Sequence, residues 1–203
     1  MSKKRLTREE MKQQTRKQLL EVATRLFASK GYYETSVDKV AEEAGFSKGA
    51  VYSNFGSKED LFLAVFTESQ QEDLATLAEL ATQFSSLDAF VAAISKHHER
   101  ERKQNEPWTL LKLEFLLFAL REDQARDKLL AIMEQNRKQL AQIIAQIDKD
   151  PLRQKEYDYE RLAFSLLTFD IGIGIQATLD EASVPNGMYE EILQKLFQLD
   201  ERE

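Results

Sequence analysis

The chain has 203 residues, 42% of them hydrophobic and 31% charged, the balance of a globular protein long enough for one large or two small packed domains. It has no cysteine, which excludes disulfides, thiol catalysis and thiolate metal sites, and its 2 histidines and 3 prolines leave little for an imidazole site and favour helix throughout. The net charge of −7 is unevenly divided: residues 1–60 carry 12 Lys+Arg against 9 Asp+Glu, and the rest of the chain carries 16 against 26, so a basic head precedes an acidic body.

No apolar signal core follows the basic N-terminus. The most apolar stretch, FSLLTFDIGIGI, reads as too short to span a bilayer and is interrupted by Asp170, so a soluble, cytoplasmic chain is expected. Residues 1–6 read as a basic arm, and Thr7 with Glu10 forms a capping box for a first helix. Leu19, Val22, Ala23, Leu26 and Phe27 recur at helical spacing, and Gly31 is expected to end that helix. Lys3, Lys4, Arg5, Arg8, Lys12, Arg16 and Lys17 fit either a solvated tail or phosphate contacts.

Ser36 is an N-cap candidate for a short helix whose Val37, Val40 and Ala41 make one apolar stripe. Gly45 suits the left-handed cap that ends it, and Ser47 can cap the next helix, with Ala50, Val51 and Phe55 inward. Two short helices about such a turn resemble a helix-turn-helix, in which Ser47 to Asn54 would be the recognition helix; the plainer alternative is an αα-corner of any all-helical protein. Ser57 to Asp60 opens a long helix free of proline and glycine past residue 84, and Ser86 caps another. Pro107 favours a further start, with Trp108, Leu111, Phe115 and Phe118 on one face. A helix over 125–147 is expected to turn Leu129, Ile132, Met133, Leu140, Ile143, Ile144 and Ile147 inward. After a loop with Pro151, helices are expected over 156–181 and 188–199. No strand pattern and no internal repeat appear, so the fold class is all-α.

Positions 23 to 66, ATRLFASKGYYETSVDKVAEEAGFSKGAVYSNFGSKEDLFLAVF, hold a G-Y-x-x-T-S stretch, an A-x-x-A-G turn, an S-K-G-x-x-Y-x-x-F helix and a K-E-x-L helix start in one block. This block resembles the tetracycline-repressor (TetR) family of transcriptional regulators. The resemblance implies a three-helix DNA-binding domain over 1–56, a helical ligand-binding and dimerisation domain over 57–203, and a homodimer. It sets Thr35 and Ser36 at phosphate, Lys48, Gly49, Ala50 and Ser53 toward the groove, and Tyr52 and Lys58 at phosphate. Asn54 matches a position often His or Asn. The chemistry agrees: Gly49 and Ala50 permit close approach, Ala50 suits a thymine methyl, and Lys48 can donate to guanine O6 or N7. Lys58 at a helix N-terminus adds its charge to free N–H groups. The plainer reading keeps Tyr52 partly in the core and leaves Ser53 and Asn54 solvated.

In the body, Trp108, Phe115, Phe118, Met133 and Phe169 are either plain core or the lining of an apolar effector cavity. Asp170, a carboxylate in an apolar helix, needs a hydrogen-bond partner within the protein, a ligand or a second subunit. The helix that carries it is apolar on nearly every side, so Gly172, Gly174, Ile192, Leu196 and Phe197 are assigned to a two-fold interface, the plainer alternative being a buried helix of a monomer. Adjacent His97 and His98 point about 100° apart on a helix, poor geometry for a shared metal. Neither a metal nor a cofactor is expected. The partners expected are an operator duplex, a small hydrophobic effector and a second copy of the chain. Two alternatives stand beside this reading: an architectural DNA binder without ligand, and an all-α enzyme or ligand carrier, although no nucleophile–base pair or phosphate-cradling loop is present.

Overall fold

The computed structural model describes residues 7–104, 106–150, 154 and 157–197. The basic arm (Lys3, Lys4 and Arg5), Pro151 and the chain end past 197 lie outside them. Among the described residues there is no strand. The helices are α1 (Arg8–Glu34), α2 (Val37–Ala44), α3 (Lys48–Phe55), α4 (Lys58–Gln83), α5 (Leu87–Gln104), α6 (Glu106–Ala119), α7 (Asp123–Ile147), α8 (Tyr159–Leu179) and α9 (Met188–Leu196), with a 3-10 turn at Glu181–Ser183. The chain divides into two compact units. The first comprises Met1–Glu68 with Leu110–Lys128, and the second Ser69–Thr109 with Leu129–Glu203.

The first unit, the head, takes in the start of α4 and much of α6 besides α1, α2 and α3. Phe62 of α4 is fully buried and stacks on Phe115 of α6 at 4.2 Å, while Phe27 of α1 meets it edge-on at 5.2 Å. Tyr32 joins the cluster, 5.6 Å from Phe115 and 5.2 Å from Phe118. The Thr7–Glu10 capping box forms in both directions, and the expected stripe of α1 is buried at Leu19, Ala23, Leu26 and Phe27. Gly31 breaks the regular path of α1 at φ 79°, ψ 174°, but one further turn runs on to Glu34. The break frees the Tyr32 N–H, which donates to the Glu114 carboxylate of α6 at 2.6 Å. That carboxylate fills the space a Cβ on Gly31 would need, with Oε1 2.7 Å from the ideal position.

The second unit is built on Leu87, Phe90, Val91 and Ile94 of α5, Leu140, Ile143, Ile144 and Ile147 of α7, Leu166 and Ile173 of α8, and Tyr189, Leu193 and Phe197 around α9. Asp148 is fully buried; its carboxylate accepts from the Tyr159 hydroxyl at 3.1 Å and the Asp150 N–H at 3.2 Å. Asp170 finds its partner inside the unit: its Oδ1 lies 2.9 Å from Nδ1 of His98, whose ring stacks on Tyr189 at 3.8 Å.

Several expectations about this body need correction. Met133 is 38% exposed, because it falls on the outer side of α7. Phe115 and Phe118 belong to the aromatic cluster of the head. Phe197 is buried in the unit's own core, where its carbonyl accepts from Tyr157, and a Cβ on Gly174 would touch Thr109 at 3.5 Å; neither faces outward. Gly172 does face open space, and Ile192 and Leu196 are half-buried. α8 has 21 residues, longer than the apolar stretch judged too short, and by length and composition it is able to cross a membrane. It buries only Ala163, Leu166 and Ile173, and leaves Phe164, Ile171 and Leu179 exposed by 57%, 42% and 78%.

Gly31→Ala is expected to lower stability by about 1–3 kcal/mol, since a Cβ meets both the left-handed backbone and the Glu114 carboxylate. Urea unfolding of the purified protein checks this.

Candidate nucleic-acid interface

The helix-turn-helix is assembled by local capping. Ser36 accepts from the Lys39 N–H at 3.1 Å and so caps α2. Gly45 then adopts the left-handed conformation at φ 73°, ψ 26°, and the Phe46 N–H returns to the Ala41 carbonyl at 2.9 Å, closing the C-terminal end. Ser47 at once caps α3, accepting from the Ala50 N–H at 3.2 Å. Val37, Val40, Ala41, Val51 and Phe55 are buried beneath this corner, so the turn is fixed by both caps and core.

The outer face of α3 presents Lys48, Gly49, Tyr52 and Ser53, all exposed, with Tyr52 at 44%. These positions are i, i+1, i+4 and i+5, one side of a helix. Ala50 is half-buried at the edge of this face. Tyr52 is therefore outside the core. Ser53 is exposed, and its hydroxyl donates to the Ala50 carbonyl at 3.0 Å. Asn54 turns partly inward: its amide nitrogen donates to the same carbonyl at 2.8 Å, while its Oδ1 is buried without a partner.

Three basic side chains and one hydroxyl here have partners within the protein. Lys48 pairs with Asp38 of α2 at 2.8 Å, and that hydrogen bond with the carboxylate pushes the lysine pKa upward. Lys58 lies over the Tyr32 ring at 4.4 Å and reaches the Tyr33 carbonyl at 3.5 Å; partial burial draws its pKa down against the pull of Glu59 and Glu114. Arg16 donates to the Asn54 carbonyl at 2.9 Å and covers the Phe55 ring at 4.3 Å, tying α1 to the end of α3. Thr35 is 1% exposed, and its hydroxyl donates to the Gly31 carbonyl at 2.8 Å with that of Leu26 3.2 Å away, so its side chain clasps the broken end of α1. Of the expected contact residues, Ser36, Lys48, Gly49, Ala50, Tyr52 and Ser53 gather at α2 and α3, while the Thr35 side chain points into the core.

Asp38 and Arg16 are the residues that sequence reasoning passed over or left undecided. The signal for Asp38 lay in the helix-turn-helix itself, which returns the first residue of α3 toward the first turn of α2.

Ser47→Ala is expected to cost about 1 kcal/mol through the lost cap. The thermal midpoint should fall by several degrees in a circular-dichroism melt.

The comparisons with known proteins centre on the same region. Residues 19–65 match the family model described as bacterial regulatory proteins, tetR family. The HTH-type transcriptional repressor AcnR of Corynebacterium glutamicum is 41% identical over 69 residues, 34% of this chain and 35% of that protein. The match thus spans about a third of that relative's length. The fold extends over nearly the whole chain: the structure of Salmonella enterica GusR aligns with TM-score 0.68 at 20% identity, covering 96% of this chain and 100% of that one. The regulator FadR of Bacillus subtilis, solved with stearoyl-CoA, aligns with TM-score 0.62 at 19% identity, covering 90% and 96%. The turn of α2 and α3 is built from the residues that the family model matches, so residues 19–65 carry the DNA-binding segment of the tetR family of bacterial regulatory proteins.

Proposed function

We propose that the chain is a homodimeric, cytoplasmic transcriptional repressor that reads a palindromic operator through α3 and is released from it by a small hydrophobic effector. The observation that carries the reading is the outer face of α3. A Cβ on Gly49 would meet nothing nearer than Ser47 Oγ at 3.8 Å, so the fold does not require glycine there. A helix that gives up side-chain propensity on its exposed face, between a lysine and a tyrosine, is suited to close approach by another molecule. In the major groove, Lys48 would donate to guanine, Ala50 would meet a thymine methyl, and Tyr52, Ser36 and Lys58 would hold phosphates. For Lys58 this requires leaving the Tyr32 ring.

Dimerisation is supported by α8, whose Phe164, Ile171 and Leu179 remain exposed beside the open Gly172. Large apolar side chains left exposed along one helix call for a partner, and two-fold pairing would set two copies of α3 about one DNA turn apart. Ile192 and Leu196 of α9 would join this four-helix interface. For the effector, the stearoyl-CoA of the FadR structure supports an apolar ligand, with Trp108 and Phe169 as candidate lining and Asp170 as a polar anchor. The ligand would act by preferring a body conformation that shifts α4, with a coupling of about 1–3 kcal/mol.

Selection from pooled genomic fragments, followed by fluorescence anisotropy at two salt concentrations, tests the DNA reading. A palindromic site is expected, with affinity falling steeply with salt and at least about tenfold in Lys48→Ala or Tyr52→Ala. Salt-sensitive binding with no preferred sequence would instead establish the architectural alternative. The double substitution Phe164→Glu, Ile171→Glu is expected to give monomers in light scattering and to abolish operator binding while the helical signal stays intact.

A further inference from the structure

The ion pair between Asp38 and Lys48 does little for the fold. Their side chains are 66% and 52% exposed, and an isolated exposed pair contributes little to stability. Its placement runs against ordinary helix electrostatics, because Lys48 is the first residue of α3, the positive end of the helix dipole, and α3 has no acidic residue in its first turn. The counter-charge comes from α2, where Asp38 stands in the first turn. A carboxylate in the middle of a DNA-facing surface is also unsuited to phosphate. What sits there is an ammonium donor and a carboxylate acceptor 2.8 Å apart, at the end of the helix that would enter the groove.

One base pair offers the complement of such a pair on its major-groove edge. Guanine presents N7 and O6 as neighbouring acceptors, and the N4 amino group of cytosine follows as a donor. An A·T pair places its one donor between two acceptors, so the lysine keeps N7 but loses the second acceptor. We propose that Asp38 is a specificity-determining residue, and that the Asp38–Lys48 pair reads one G·C base pair in each half-site. Lys48 Nζ donates to guanine O6 and N7, and the Asp38 carboxylate accepts from cytosine N4. The same carboxylate repels phosphate and so disfavours any register that would bring the backbone to this point. The inference rests on the reading of α3 as the groove-facing helix.

The test uses the full chain and its Asp38→Ala and Asp38→Asn variants in selection from random duplexes. Anisotropy then follows on the selected duplex and on copies altered at each pair. The wild type is expected to require G·C at one symmetric position, with replacement there costing about tenfold. Asp38→Ala is expected to lose most of that discrimination while its affinity for random DNA rises. Asp38→Asn keeps the shape of the side chain, and its amide is expected to move the preference toward adenine; it decides the matter should Asp38→Ala fail to fold. Variants that keep the wild-type preference at every position, with affinities for all duplexes scaled by one common factor, would overturn the role of Asp38 and leave the α3 reading standing. A wild type without any sequence preference would overturn both.

Discussion

The burial of Phe62 between Phe27 and Phe115 is the contact on which the rest of the head depends. α2 and α3 have eight residues each, too few to be stable helices alone. They persist because Val40, Val51 and Phe55 are buried in the head. Aromatic rings from α4 and α6 are buried there too.

The regular path of α1 breaks at Gly31. A helix that breaks must find new partners for its freed backbone groups. Here Glu114 takes the Tyr32 N–H from one side and the Thr35 hydroxyl takes the Gly31 carbonyl from the other. The break turns Tyr32 into the core, where its ring also supports the ammonium of Lys58. A residue matched to phosphate binding and a residue of the core are thus held by one local irregularity. The basic groups of the interface keep company with the protein itself: Lys39 with Glu42, Lys48 with Asp38, Lys58 with Tyr32 and Tyr33. Binding to DNA would exchange the exposed, weak pairs of Lys39 and Lys48 for others at small cost. The acidic surplus of the rest of the chain does not oppose this, because affinity for a polyanion depends on charge near the contact and not on the sum.

In the body, polar groups inside an apolar frame are satisfied in pairs. Asp148 is held by Tyr159 and a backbone N–H, and Asp170 by His98, so neither carboxylate needs a ligand to be stable. The body also leaves an apolar surface open: the outer side of α8, with Phe164, Ile171 and Leu179 exposed.

The sequence by itself determined the all-α class, the helix starts at Thr7, Ser36, Ser47 and Ser86, and the turn at Gly45. Each depends on interactions within a few residues, which spacing and cap chemistry express directly. It also marked Lys48, Gly49, Tyr52 and Ser53 of α3, which the fold leaves exposed, because the family block is continuous there. Only the tertiary structure decided which apolar stripe belongs to which core. Phe115 and Phe118 share a helical face with Trp108, and nothing local tells that they complete the head. Met133 and Phe197 have the hydrophobicity of core and surface-patch residues alike, and neighbours far away in the chain chose between the two. The Thr35 hydroxyl and the Asp38 carboxylate are of the same kind. Their partners lie 4 to 10 residues away across a helix break and a turn, so their roles follow from the path of the backbone, which periodicity does not encode.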